Sequence, residues 1–546
     1  LKLIEVKQIT SKLSLSPLNL PFRPVITGIG IGTVLAVLNM FVFFKTGLGF
    51  GGSALVAIGA LAILKQVHAL NWRNAFITFS VASSGYFATA ALDSGLLAVY
   101  LRTGTLPKWG TVFLLSEGSN VLGVFLGYMI SSFFVHKWKL PYPTLKPAIS
   151  VLESIEKPVP NLKYLLWSTG GSLTFVIIKN FIPDLLMLRI PGTPSFMSLE
   201  ISPMLFGLGI LIRQKAALWM FAGALYGAVV WLLQDGSPGS TFSMHMTGSW
   251  IMGAGVFIIA GTSAATLVKS RKMFAGFIGR CFVLIQRNRK LWVVVGGTFG
   301  VFLVIYGIIA GLNGILTIAG VLIVLAVSAM YFNQSGGQIG IAPLNPILFL
   351  SILILFFMHL QLNLIILTAA TTACLACSSL YFSYSLKVAE GHEEIQKREI
   401  LWSQLIGSSA GAIVAVVFIF LIAYQGHPGT DRMPVPTAAS INYFMESIQN
   451  GFVYSGEMSG IIWGSLALGF LLTFTPAAPV SLGIGILLSP GSVTSIAVGG
   501  LVYFLIKKYK RDSPGKSLDA LDKIAMGFII GEGLSDLFVL IQQVMV

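Results

Sequence analysis

A chain of 546 residues with 55% hydrophobic residues, only 10% charged residues and a mean hydropathy of +0.85 excludes a soluble globular protein; soluble domains carry about 25% charged residues. The net charge of +15 invites a nucleic-acid reading. However, the Lys and Arg residues cluster in a few segments between apolar runs, as orientation determinants of membrane proteins do, so the partner is the lipid bilayer and not nucleic acid.

Apolar spans are predicted in chain order at roughly 24–44, 48–64, 75–101, 110–135, 162–182, 198–212, 215–233 and 247–268, then 291–311. They continue at 314–332, 345–361, 363–386, 400–424, 457–474, 477–490, 493–508 and 519–543. A spanning helix needs about 20 largely apolar residues, so short runs such as 198–212 and 477–490 read as spans or as re-entrant segments. The expected fold is an all-α polytopic membrane protein with about 16–17 transmembrane or re-entrant helices. Its parts are a cytoplasmic N-terminal segment (1–23), a first transmembrane repeat (24–268), a basic cytoplasmic loop (269–290), a linking helix (291–311) and a second repeat (314–543). The first apolar run lacks a small-residue cleavage site and reads as a retained helix.

The repeat rests on anchors in matching order. Leu35-Ala36-Val37 precedes Lys45-Thr46-Gly47-Leu48-Gly49, and Leu325-Ala326-Val327 precedes Ser335-Gly336-Gly337-Gln338. Leu140-Pro141-Tyr142-Pro143-Thr144 echoes Met433-Pro434-Val435-Pro436-Thr437, and Gly207-Leu208-Gly209-Ile210-Leu211 echoes Gly483-Ile484-Gly485-Ile486-Leu487. With the N-terminus cytoplasmic, alternation places the basic segments 65–73, 136–161, 213–215, 269–290, 387–399 and 507–518 inside. The repeat partners 136–161 and 425–456 then fall on opposite sides, which makes the two halves inverted in topology. Such repeats are the structural basis of alternating access in secondary transporters.

Glycine-rich breaks between apolar spans must lie within protein or along a cavity, because lipid satisfies no backbone polar group. Two such breaks occupy equivalent places, Thr46–Ser53 and Asn333–Asn345. Thr46, Gly47, Gly49, Gln334, Ser335, Gly336, Gly337, Gln338 and Asn345, with Ser202 beside the proline of a short span, are the candidate substrate-binding residues. Ionisable residues inside spans are costly and mark function. Asp93, Glu117, Glu532 and Asp536 are therefore the candidates for proton coupling, the last two sharing a helix face. The pairs Gly123/Gly127, Gly223/Gly227, Gly407/Gly411 and Gly527/Gly531 have the GxxxG spacing of close helix contacts. Cys374 and Cys377 lie in an apolar run and read as small packing residues, and three cysteines give no disulfide framework.

Several segments resemble the oligopeptide transporter (OPT) superfamily: Arg23-Pro24-Val25-Ile26-Thr27-Gly28 with Asn39 and Lys45-Thr46-Gly47-Leu48; Leu140-Pro141-Tyr142-Pro143 with Glu153; Ile201 to Gly209; Lys387 to Gly391 with Gln404-Leu405-Ile406-Gly407; and Gly527 to Gly533. The resemblance runs through almost the whole chain and is closer to the yellow-stripe-like and prokaryotic branch. Ser385 stands where the family has an acidic residue, and the Asn-Pro-Gly signature of the peptide-transporting branch is not evident.

The resemblance implies a proton-coupled symporter in the plasma membrane, importing small peptides or metal–chelator complexes. Protons and such a small molecule would be its partners, and a homo-oligomer is compatible with it. No cofactor is implied, and the sequence holds no G-x-x-x-x-G-K-[ST] loop for a nucleotide. The alternative is a passive channel or pore. An intramembrane enzyme is disfavoured, since His392-Glu393-Glu394 lies in a loop and lacks the second histidine of a metalloprotease motif.

Overall fold

The computed structural model describes residues 20–46, 52–86, 90–156, 162–181, 187–188, 191–234, 236–239, 245, 250–262, 264–266, 268–269, 315–338, 344–356, 358, 360–426, 428–429, 433, 435–449, 456–509 and 514–545. These residues are overwhelmingly helical. The first half holds α1 (Phe22–Thr46), α2 (Ser53–Gln66), α3 (Trp72–Gly85), α4 (Ala90–Thr103), α5 (Trp109–Ser132), α6 (Lys146–Glu153), α7 (Leu162–Phe181), α8 (Pro203–Gln234) and α9 (Trp250–Thr266). The second half holds α10 (Ile315–Gln338), α11 (Leu344–Phe356), α12 (Leu362–Val388), α13 (Lys397–Gln425), α14 (Pro436–Gln449), α15 (Gly456–Leu472), α16 (Pro479–Leu487), α17 (Pro490–Tyr509) and α18 (Pro514–Met545). One antiparallel ribbon, β1 (Met187–Leu188) with β2 (Leu199–Glu200), precedes α8.

Among the described residues, five helices are long and apolar enough to cross a membrane: α5 with its π-helical extension to Lys137, α8, α12, α13 and α17. The predicted linking helix 291–311 and nearly all of the basic loop 269–290 lie outside the described residues.

The structure corrects several boundaries. The predicted span 75–101 is two helices of 14 residues, α3 and α4, parted at Tyr86. The predicted spans 198–212 and 215–233 are, as expected, two helical stretches; they meet at a kink where Arg213 adopts φ 72°, and are numbered together as α8. The predicted loops 136–161 and 425–456 each contain a helix, α6 and α14. Both are amphipathic, and their apolar residues (Ala148, Val151 and Leu152; Ile441, Phe444 and Met445) are buried against the bundle. The predicted break at Asn333–Asn345 is also shorter than expected. Helix α10 continues through Gln338, so Gln334, Ser335, Gly336, Gly337 and Gln338 are helical, and Asn345 lies in α11. Gly336 and Gly337 are small because Leu380 and Leu140 press against the helix there, and a methyl group on either would collide with those side chains.

Helix α12 is central. Of its most apolar window, 89% is buried, which fits a helix enclosed by protein and not by lipid. Its small residues admit close neighbours: Gly123 and Gly127 of α5 lie against the Leu375 carbonyl, Ser378, Ser379 and Phe382, and Gly95 of α4 lies against Ala370. The Gly407/Gly411 pair of α13 meets Val81, Ser84 and Gly85 of α3, and Gly527/Gly531 of α18 meets Leu165, Ser168, Thr169 and Ser172 of α7. Gly223 of α8 meets Leu482 and Gly485 of α16, while Gly227 is more loosely enclosed. The GxxxG pairs thus sit at helix crossings, where a missing Cβ lets backbones approach.

Candidate functional site

Polar residues on α12 recur at nearly every turn. Thr368, Thr371, Thr372, Ser378, Ser379, Ser383 and Ser385 are all buried, and buried polar groups require partners. The threonine hydroxyls donate to carbonyls of α12 itself, while serines of α12 also find partners on neighbouring helices. The Ser378 hydroxyl donates to Asn120 Oδ1 of α5 at 2.8 Å. Asn333 of α10 donates from Nδ2 to Ser379 Oγ at 2.8 Å and accepts at Oδ1 from Ser383 Oγ at 2.5 Å. Gln404 of α13 donates to Ser385 Oγ at 2.7 Å. Cys374 accepts a 3.1 Å hydrogen bond from Ser119, the environment of a packing residue.

A chain of tyrosines adjoins this network. Tyr86, at the α3–α4 break, meets Tyr381 edge-on with ring centroids 5.5 Å apart. Tyr381 meets Tyr384 at 5.3 Å, and Tyr384 meets Tyr142 at 5.7 Å, both edge-on. Aromatic rings prefer this arrangement. The Tyr86 carbonyl, at the C-terminal end of α3, accepts from Asn39 Nδ2 of α1 at 3.2 Å.

Described residues from both glycine-rich segments reach the Tyr142–Thr144 stretch. Ser53, the last residue of the first, donates to the Thr144 carbonyl at 3.3 Å. Gly337, in the second, accepts from the Tyr142 backbone N–H at 2.8 Å. Of the residues predicted for this role, Thr46 ends α1, Gly47 and Gly49 lie outside the described residues, and Gln334, Ser335, Gly336, Gly337 and Gln338 form the last turns of α10.

The predicted carboxylates occupy different settings. Asp93 is in the first turn of α4, directly after the break, and is 2% exposed. Its Oδ2 meets no hydrogen-bond donor among the described residues. Glu117 of α5 accepts at Oε1 from Ser409 of α13 at 2.5 Å, while its Oε2 has no donor among them. Glu532 of α18 is brought to Ser202, which sequence reasoning had put in a different role. Its Oε1 accepts from Ser202 Oγ at 2.8 Å and its Oε2 from the Met204 backbone N–H at 2.7 Å. Ser202 in turn accepts from Leu205 N–H at 3.1 Å. Glu532 and Ser202 together cap the N-terminus of α8, where free N–H groups and the helix dipole favour negative charge. Asp536 lies one turn further along α18.

Sequence reasoning missed the tyrosine chain. The available signal was the Tyr381/Tyr384 spacing on a helix already rich in Ser and Thr. It also missed Arg213, whose guanidinium stacks on Tyr503 (4.4 Å to the centroid), hydrogen-bonds its hydroxyl and pairs with Asp522 at 3.4 Å. These contacts hold the interruption of α8 against α17 and α18.

The sequence profile of the family described as OPT oligopeptide transporter protein matches residues 19–231 and 243–542. No curated protein sequence matches the chain.

Proposed function

The chain belongs to the OPT oligopeptide transporter family over almost its whole length, a family of membrane transporters of small solutes, and from that premise we propose that it is a proton-coupled symporter working by alternating access. Its substrate is a small peptide or a metal–chelator complex, bound at the tyrosine chain. The plasma membrane is its site and the N-terminus is cytoplasmic, as the distribution of Lys and Arg indicates.

The observation that carries the reading is Asp93. A carboxyl group buried at 2% exposure, in the first turn of α4 and with one oxygen lacking a donor among the described residues, is an expensive thing to keep in a bilayer. A proton is the smallest ligand that removes the cost of its charge. Binding it from one side and releasing it to the other would couple substrate movement to the proton gradient. Discontinuous helices near substrate sites are a recurring feature of secondary transporters, and the α3–α4 break supplies one beside both Asp93 and Tyr86. The element order supports two repeats: α1–α2, α5–α6 and α7 correspond in order and kind to α10–α11, α13–α14 and α15.

The test is uptake in proteoliposomes, with di- to hexapeptides and ferric–chelator complexes offered under an imposed pH gradient. Accumulation above the equilibrium level, abolished by a protonophore, is the expected result. Asp93→Asn should lose that accumulation and keep substrate exchange at zero gradient. Passive equilibration unaffected by the protonophore would establish the channel reading instead.

A further inference from the structure

The Leu140–Thr144 and Met433–Thr437 motifs share an unusual backbone. Tyr142 adopts φ 42° and Val435 φ 41°, and each stands between two prolines. Positive φ is uncommon for any residue with a side chain and an outlier for a β-branched one, and a following proline drives its predecessor toward extended conformations. Such strain persists only where surrounding structure imposes it, and it collects at switch regions.

What imposes it is the opposite half of the chain. The Tyr142 N–H donates to the Gly337 carbonyl at 2.8 Å, in the last turn of α10. The Val435 N–H donates to the Phe44 carbonyl at 2.9 Å, in the last turn of α1. Each half therefore extends a strained elbow to the last turn of the other half's first helix, beside or within its glycine-rich segment.

The two elbows also lead to different parts of the site. Tyr142 places its ring against Tyr384 in the tyrosine chain. Val435 opens α14, whose Asn442 donates to the Ala98 carbonyl at 3.1 Å on α4, the helix that carries Asp93.

We propose that these elbows are the paired gate latches of the transporter, one at each membrane face. Both latches are engaged in this structure, and opening toward either face releases the latch on that face while the other holds. The inference rests on the inverted-repeat reading, which puts the two motifs on opposite sides. Motion at the Tyr142 latch reaches the substrate rings, and motion at the Val435 latch reaches the proton-carrying helix. The strain lowers the cost of release, and the symmetry makes the two releases alternatives.

The experiment uses the full chain with Cys281, Cys374 and Cys377 replaced by alanine, carrying either Thr144→Cys or Thr437→Cys. A membrane-impermeant maleimide is applied to right-side-out cells and to inside-out vesicles. The two cysteines should label from opposite faces, and an imposed proton gradient should raise one rate severalfold while lowering the other. Gly337→Ala, whose methyl group would push Leu140 away, should raise labelling at Thr144→Cys and leave or lower that at Thr437→Cys. Labelling of both from one face would remove the inverted-repeat reading and the latches with it. Opposite faces with rates that ignore the gradient, or that rise together, would overturn the latches and leave that reading intact. If Gly337→Ala fails to fold, the gradient comparison alone still decides.

Discussion

Two buried carboxylates in this chain have opposite chemical surroundings, and they should answer the same substitution differently. Glu532 accepts from a hydroxyl and a backbone N–H at the start of α8. Hydrogen bonds to a charged group contribute about 1.5–3 kcal/mol, and loss of a helix cap costs about 0.5–2 kcal/mol. Glu532→Gln should therefore lower the apparent melting temperature of the purified protein by several degrees. Asp93 Oδ2 has no donor among the described residues, so Asp93→Asn removes a liability and should leave thermal stability unchanged or raised. Thermal unfolding of the two variants in one detergent is the check. A larger loss for Asp93→Asn would mean that its carboxylate is satisfied by groups outside the described residues. The sequence located both carboxylates because ionisable residues inside apolar spans are conspicuous. It could not distinguish a cap from an unpartnered acid, because that depends on which helix end lies opposite.

At the scale of elements, the long, predominantly apolar helices α5, α12 and α13 were legible, and so was the packing role of the GxxxG pairs. The separation of α3 from α4 was not, because Val81 to Leu92 carries no proline and reads as one run. Helices α6 and α14 were hidden for a different reason. Both are short and amphipathic, so hydropathy read them as loops, yet they bury their apolar faces within the bundle. Gly336 and Gly337 were taken for a break because glycine serves both turns and close contacts, and only the position of Leu140 and Leu380 decides between them.

The contact reading is testable at Gly407. A methyl group there would run into the Val81 carbonyl and Ser84 of α3. Overpacking typically costs about 1–3 kcal/mol, so Gly407→Ala should reduce folded yield and thermal stability. Gly171 on α7 has nothing within 4 Å, and alanine is the better helix former by about 1 kcal/mol. Gly171→Ala should then be neutral or stabilising. Fluorescence size-exclusion chromatography after a heating series would separate the two. Equal tolerance at both positions would refute the close α3–α13 crossing.

For the molecule as a whole, the halves are adjacent in sequence but interleaved in space. Helix α12 of the second half is enclosed by α4 and α5 of the first, α13 crosses α3, and α18 lies along α7. The latches add reciprocal backbone hydrogen bonds from each half to the other. Neither half can bury its own polar surface alone. Ser378 would lose Asn120, and Glu532 would lose the cap it makes with Ser202. Unsatisfied polar groups of this kind are costly in lipid, so a half expressed alone should insert but fail to accumulate as folded protein. Cutting the chain between 269 and 290 severs a basic segment between the halves and none of these contacts. Co-expression of residues 1–280 with residues 281–546 should accordingly restore both fragments to a single species on gel filtration, with uptake recovered. Independent accumulation of either fragment as a monodisperse species would show that the interlocking contributes little. It would also argue against a mechanism in which each half holds the other's first helix, because a latch can transmit motion only if both halves depend on it.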